Sequence, residues 1–298
     1  MQIPMRRASL VVGAIAMGLT IAAQAPPPKF DSSRAWEHLR QLVAFGPRPA
    51  GSPALDQTRT YMKAQLASTG ATVAEQAWDD QTPLGTVHMV NLIATLPGQK
   101  SDRLVFAGHY DTKRFREFRF VGANDGASSG AFLLELARAL KGRRNALTIE
   151  LLFLDGEEAV IDWAGTDHTY GSRHYVAAAG QDGSIRSLKA FILVDMIGDR
   201  DLALRREANS TSWLTDLIWE AAARRGHTRH FLGSTTFIED DHLPFLEAGV
   251  PAVDLIDLDY PAWHTRGDLM DQVSAESLQV IGDVLLDALP SIEARLTR

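Results

Sequence analysis

Along this chain, short runs of apolar and β-branched residues alternate with segments whose apolar positions recur every three or four residues. The runs at 88–96, 104–108, 148–154, 190–194 and 252–256 predict strands. Helical spacing predicts helices over 32–43, where Trp36, Leu39 and Leu42 share a face, about 54–68, 128–140, 170–179, 212–225 and 274–289. The segment Gly46-Pro47-Arg48-Pro49 ends the first of these. Strands that are apolar almost throughout are covered on both faces, and strands separated by helices pair in parallel. The pattern therefore predicts an α/β fold, a mainly parallel sheet with helices on both faces and a site at the carboxyl ends of the strands. No internal repeat or low-complexity run interrupts it.

The N-terminus departs from that pattern. Arg6 and Arg7, an apolar run at 10–23 and the small-residue site Ala23-Gln24-Ala25 read as an export signal over 1–25. A Pro-rich linker at 26–31 follows, leaving 32–298 as a single domain. The apolar run is shorter than the roughly 20 residues that span a bilayer, so the expectation is an exported protein, periplasmic or secreted, with no stable membrane insertion after signal cleavage. The Arg-Arg pair is compatible with twin-arginine export as well as the general route.

Composition narrows the chemistry. With 45% hydrophobic and 22% charged residues the chain is an ordinary globular protein. A formal charge of -7 gives no electrostatic reason to expect nucleic acid as a partner. The chain has no cysteine, so packing replaces disulfides and any zinc site must be built from histidine and carboxylate.

Such residues stand where the predicted strands end. His109 and Asp111 follow 104–108, Glu157 and Glu158 follow 148–154, and Asp195 follows 190–194. Asp125 sits in the turn Gly122-Ala123-Asn124-Asp125-Gly126 before a helix, and His264 in the loop Trp263-His264-Thr265. This mixture of imidazole and carboxylate suits zinc, three ligands leaving a position for substrate or water. Two adjacent carboxylates after a buried strand repel each other and lose solvation, a cost relieved by a bound cation and a shared proton. One can ligate while the other acts as general base.

The segments Gly108-His109-Tyr110-Asp111, Gly122-Ala123-Asn124-Asp125, Asp155-Gly156-Glu157-Glu158, Tyr170-Gly171-Ser172-Arg173-His174, Asp240-Asp241-His242 and Trp263-His264-Thr265 span most of the chain. In this order they resemble the M28 zinc peptidase family, whose members include aminopeptidases and secreted glutaminyl cyclases. The resemblance implies a three-layer α/β/α sandwich around a mixed, mostly parallel sheet. In the aminopeptidases five ligands hold two zincs, and the matching positions here, His109, Asp125, Glu158, Asp195 and His264, are all ligand-competent, so ligand identity leaves the chemistry open. The 11 residues 159–169 between Glu158 and Tyr170 resemble an insertion of the cyclases, and Trp163 lies where these place a pocket tryptophan.

On the cyclase side the resemblance implies one zinc on Asp125, Glu158 and His264, with Glu157 as general acid/base and Asp195 and Asp240 as its hydrogen-bonded partners. Trp163 and Trp263 would be substrate-binding, and Asp268 would orient the His264 ring. The segment Asn124-Asp125-Gly126-Ala127-Ser128 is closer to the peptidase form, and His109 and Asp195 leave room for a second metal. Gly108 and Gly130 stand where animal cyclases carry two cysteines. The implied activity is closure of an N-terminal glutamine of a peptide or protein to pyroglutamate with release of ammonia; the alternative is a di-zinc aminopeptidase.

Overall fold

The computed structural model describes Gln2 and residues 28–298. The expected signal, apart from Gln2, and the start of the linker lie outside the described residues. In chain order the elements are α1 (Ser32–Ala44), α2 (Pro53–Leu66), β1 (Thr72–Thr82), β2 (Gly85–Leu96), β3 (Lys100–His109), α3 (Ala127–Ala139), β4 (Leu147–Leu154), α4 (Tyr170–Asp182), β5 (Leu188–Asp195), β6 (Leu204–Glu207), α5 (Ser212–Arg224), β7 (Phe231–Thr236), α6 (Leu243–Glu247), β8 (Ala252–Ile256) and α7 (Ala275–Leu296). Six strands form one sheet in the order β1-β2-β4-β3-β5-β8, while β6 and β7 pair separately.

The sheet is mixed. Strands β4, β3, β5 and β8 run parallel to one another, whereas β2 pairs antiparallel with both β1 and β4. Alternation along the strands sorts the two faces. Leu104, Phe106, Ile192 and Val194 pack into the larger core with helices α1, α2, α3, α5 and α7, and Val105, Ala107, Phe191 and Leu193 into the smaller one with α4 and α6. The result is one three-layer α/β/α domain, as the apolar strands and intervening helices predict. Among the described residues no helix is long and apolar enough to cross a membrane.

Three departures have physical causes. The edge strand β1 carries the sequence TVAEQAWDDQT, with few apolar positions and no buried residue, so its hydrophobic signal is faint. Strands β6 and β7 and helix α6 are too short to show a period. Helix α7 runs through Pro290 to Leu296, past the expected end at 289. Its last turns are anchored from the side: Glu293 accepts from both Arg143 Nη atoms and from the Ala146 N–H.

Register places the site. His109 ends β3 opposite Leu154 of β4, so the segment from Asp155 to Glu158 emerges beside it. Asp195 ends β5 opposite Ile256 of β8. Gly108 allows the close packing below: a Cβ there would lie 2.7 Å from the Ser129 Cβ and 2.8 Å from the Val194 carbonyl oxygen.

Candidate active site

The turn carrying Asp125 is bent by Gly122 and Gly126, both at positive φ. A Cβ at Gly126 would come 2.3 Å from the Asp111 carbonyl oxygen, so only glycine fits. Asp268 accepts from the Asn124 and Asp125 N–H groups at 2.8 and 3.1 Å and from the Tyr260 hydroxyl at 2.8 Å. Its expected role therefore changes: this carboxylate holds the Asp125 turn, and its hydrogen bonds do not go to the His264 ring. Arg48 is fully buried and donates to the carbonyls of Tyr110, Val121 and Gly122, tying the end of β3 to the same turn.

Asp125 joins two clusters. Its Oδ1 lies 3.2 Å from His109 Nε2, which is also 3.1 Å from Asp195 Oδ1. Its Oδ2 lies 3.3 Å from His264 Nε2, which is 3.2 Å from Glu158 Oε1. In each cluster three donor atoms lie within 4.8 Å of one another. The residues fit a zinc ion, because Asp125 Oδ2 is buried without a hydrogen-bond partner and each cluster offers one imidazole and two carboxylates. His264 holds its ring there at a φ of 52°, a left-handed conformation that costs a histidine about 1–3 kcal/mol and is sustained by the surrounding structure.

The adjacent glutamates are fixed from behind. The buried Asp111 carboxylate accepts from both of their N–H groups at 3.3 Å and approaches His109 Nδ1 at 3.4 Å. Their side chains then diverge, Glu158 toward His264 and Glu157 toward His109 Nδ1 at 3.6 Å. Burial, reinforced by Glu158 and Asp240, pushes the Glu157 carboxyl well above the usual carboxylate range, although His109 opposes it. Burial and the neighbouring Asp125 push Glu158 up to about 7. Burial would lower His264, yet Asp125 and Glu158 raise it to about 10.

Asp195 and Asp240 make their contacts away from Glu157. Asp195 Oδ1 meets His109 Nε2, the Ser129 hydroxyl at 3.4 Å and the Met196 N–H at 2.7 Å. Asp240 accepts from the Asp241 N–H at 2.5 Å and keeps its Oδ2 buried without a partner. Burial, with Asp195 and Asp241 adding, raises Asp240 well above the ordinary value.

A cavity of about 470 Å³ opens over this arrangement, its floor formed by Asp125, Glu157, Glu158, Asp195 and Asp240. Trp163 and Trp263 stand at its rim, 37% and 43% exposed, with Phe237 and Leu258. The structure thus brings all the sequence-predicted site residues together, His109 lying beneath the floor. Sequence reasoning missed Lys113, Phe237 and Leu258, which come from segments without a polar motif, and the structural role of Arg48. It named His242 within the Asp240-Asp241-His242 segment but assigned it no role; the ring is buried, 3.1 Å from Glu207 and 3.7 Å from Asp254.

Residues 91–289 match the profile of peptidase family M28. The chain belongs to peptidase family M28. It is 32% identical to a glutaminyl-peptide cyclotransferase of Drosophila melanogaster, an alignment that covers 82% of this chain and 78% of the relative. The solved structure of a glutaminyl cyclase from an Acidobacteriales bacterium superposes with a TM-score of 0.87 at 39% identity, over 93% of this chain and 100% of that one. A leucine aminopeptidase precursor from Bacteroides thetaiotaomicron superposes with a TM-score of 0.81 at 26% identity, over 89% and 98%. The family and its fold agree with the resemblance read from the motifs.

Proposed function

We propose that this M28 member is a glutaminyl-peptide cyclotransferase, converting the N-terminal glutamine of peptides or proteins to pyroglutamate and ammonia. The observation that carries the reading is the cavity itself, in which Trp163, supplied by the 159–169 insertion, and Trp263 rise as walls over Glu157 and the cluster of Asp125, Glu158 and His264. A flat carboxamide suits indole walls, and such walls keep out the water that would compete with the substrate's amine.

One zinc held by Asp125, Glu158 and His264 would supply Lewis-acid polarisation of the glutamine γ-carboxamide. The walls orient the glutamine so that its α-amine faces its own γ-carbon; five-membered ring closure is intramolecular, so the reactants are already together. Glu157 Oε takes a proton from the attacking nitrogen. As the carbon–nitrogen bond to the amide breaks, the same carboxyl returns that proton to the leaving nitrogen, which departs as ammonia. Asp240, whose Oδ2 is buried without a partner, adds to the neighbouring charge that together with burial raises the Glu157 carboxyl and makes it a better proton acceptor. Asp195 holds His109 from the opposite side. The export signal at 1–25 and linker at 26–31 complete the reading of an exported enzyme that acts on peptides outside the cytoplasm.

The second reading, a di-zinc aminopeptidase, is favoured by the His109, Asp125 and Asp195 cluster. Incubation of the purified protein with a Gln-initiated peptide, followed by mass measurement against an enzyme-free control, separates the two. Cyclisation removes the mass of ammonia; peptidase action removes the whole first residue and would overturn the proposal.

A further inference from the structure

Residues 159–169 form neither helix nor strand and include Gly165 at positive φ, yet they carry a tryptophan that must stand still to serve as a wall. We propose that Asp167 and His168 are positioning residues that hold Trp163 against the cavity, so that the insertion is preorganised for substrate. The proposal rests on the reading of Trp163 as a wall of the glutamine pocket.

Asp167 gathers the N-terminal half of the loop. Its Oδ1 accepts from the Val160 N–H at 3.1 Å and the Tyr170 hydroxyl at 2.8 Å, and its Oδ2 from the N–H groups of Ile161 and Asp162 at 2.9 and 3.1 Å. Three successive backbone donors immediately before Trp163 therefore converge on one carboxylate, a charge-assisted arrangement stronger than neutral hydrogen bonds. The C-terminal half is held by the opposite charge. Arg173 of α4 donates to the carbonyls of Thr166 and His168, at 2.6 and 2.9 Å, and the Thr169 N–H reaches back to the Glu157 carbonyl at 2.8 Å. Between the halves, the His168 ring stacks on the Trp163 indole with centroids 4.2 Å apart and planes 11° from parallel. One indole face is thereby backed.

These contacts stay within the segment from Glu157 to Arg173, and they bury little, since Ile161 and Trp163 remain exposed. Their chief effect is to fix where the indole stands. Ordering it before substrate arrives removes a cost that binding would otherwise bear.

Steady-state kinetics on a Gln-peptide test this with Trp163→Ala, Asp167→Ala, Asp167→Asn, His168→Ala and the double variant Asp167→Ala/Trp163→Ala. Asp167→Ala should raise KM about tenfold with kcat within about twofold of the parent, the effect of ordering one large side chain and its loop at binding. Asp167→Asn, which keeps one acceptor oxygen, should recover part of that loss. His168→Ala leaves the hydrogen bonds of Asp167 and Arg173 intact, losing only the contact with the Thr169 hydroxyl besides the stack, and should raise KM roughly two- to tenfold, the worth of one aromatic pair. The double variant should be no worse than Trp163→Ala, because the support acts through the indole. An impaired Trp163→Ala beside Asp167→Ala and His168→Ala variants of normal KM, altered only in Tm, would overturn the proposal, as would additive losses in the double variant. A normal KM for Trp163→Ala would instead refute the pocket reading on which the proposal stands. Should Asp167→Ala not fold, Asp167→Asn and His168→Ala carry the same decision.

Discussion

Replacing Glu157 by glutamine isolates proton transfer from metal binding. The backbone N–H of residue 157 would still donate to Asp111, and the cluster of Asp125, Glu158 and His264 contains no atom of the altered side chain. Burial disfavours the charged form of Glu157, so a neutral amide of nearly the same size should leave Tm close to that of the parent. What the variant lacks is an acceptor for the α-amine proton. A general acid/base contributes roughly 10² to 10⁴-fold, or about 3 to 5 kcal/mol of barrier, and kcat should fall by that factor. A coupled assay of ammonia release gives the rate, and elemental mass spectrometry gives the zinc content of the same preparation. Near-parental turnover by the zinc-loaded variant would refute the proton-transfer role; loss of zinc would mean that Glu157 ligates and that its role and that of Glu158 are exchanged.

His264→Ala should lose zinc and activity while keeping its circular-dichroism spectrum, because His264 belongs to no strand or helix of the fold; full zinc occupancy would remove His264 from the ligand set. Asp268→Ala should lower zinc affinity or activity about 10 to 100-fold by loosening the Asp125 turn, read by chelator competition; an unchanged affinity would show that the turn holds without it. Zinc uptake by the zinc-free protein at pH 8 should release protons, since His264, raised to about 10, is protonated there and must surrender its proton to ligate, and Glu158, at about 7, adds more below neutrality. Affinity should accordingly fall as pH falls, and a pH-indicator titration showing no proton release would contradict this.

The buried centre of the fold was legible because β3, β4, β5 and β8 are apolar on both faces, which leaves a signal independent of what surrounds them. Their ends made the site legible too: a histidine or carboxylate directly after such a run has nowhere to go but the strand-end cleft. Strand β1 was invisible because its partner β2 supplies the order through backbone pairing, which the side chains of an exposed edge do not report. The role of Asp268 was misread because it depends on a chain reversal that lays that carboxylate on a turn 143 and 144 positions earlier. Arg48 looked like part of a helix-breaking segment, and only tertiary folding reveals that three carbonyl oxygens close around its guanidinium.

The sharing of Asp125 by both clusters ties the number of cations to the identity of the nucleophile. Together the clusters hold three carboxylates and two imidazoles. A single dication leaves this set with net negative charge, a condition that draws in no further anion and under which a neutral amine can be the attacking group. Two dications turn the balance positive, and a buried positive balance draws in a small anion, for which water is the ready source. Electroneutrality around one aspartate thus separates a site that lets a substrate attack itself from one that keeps a hydrolytic nucleophile in residence.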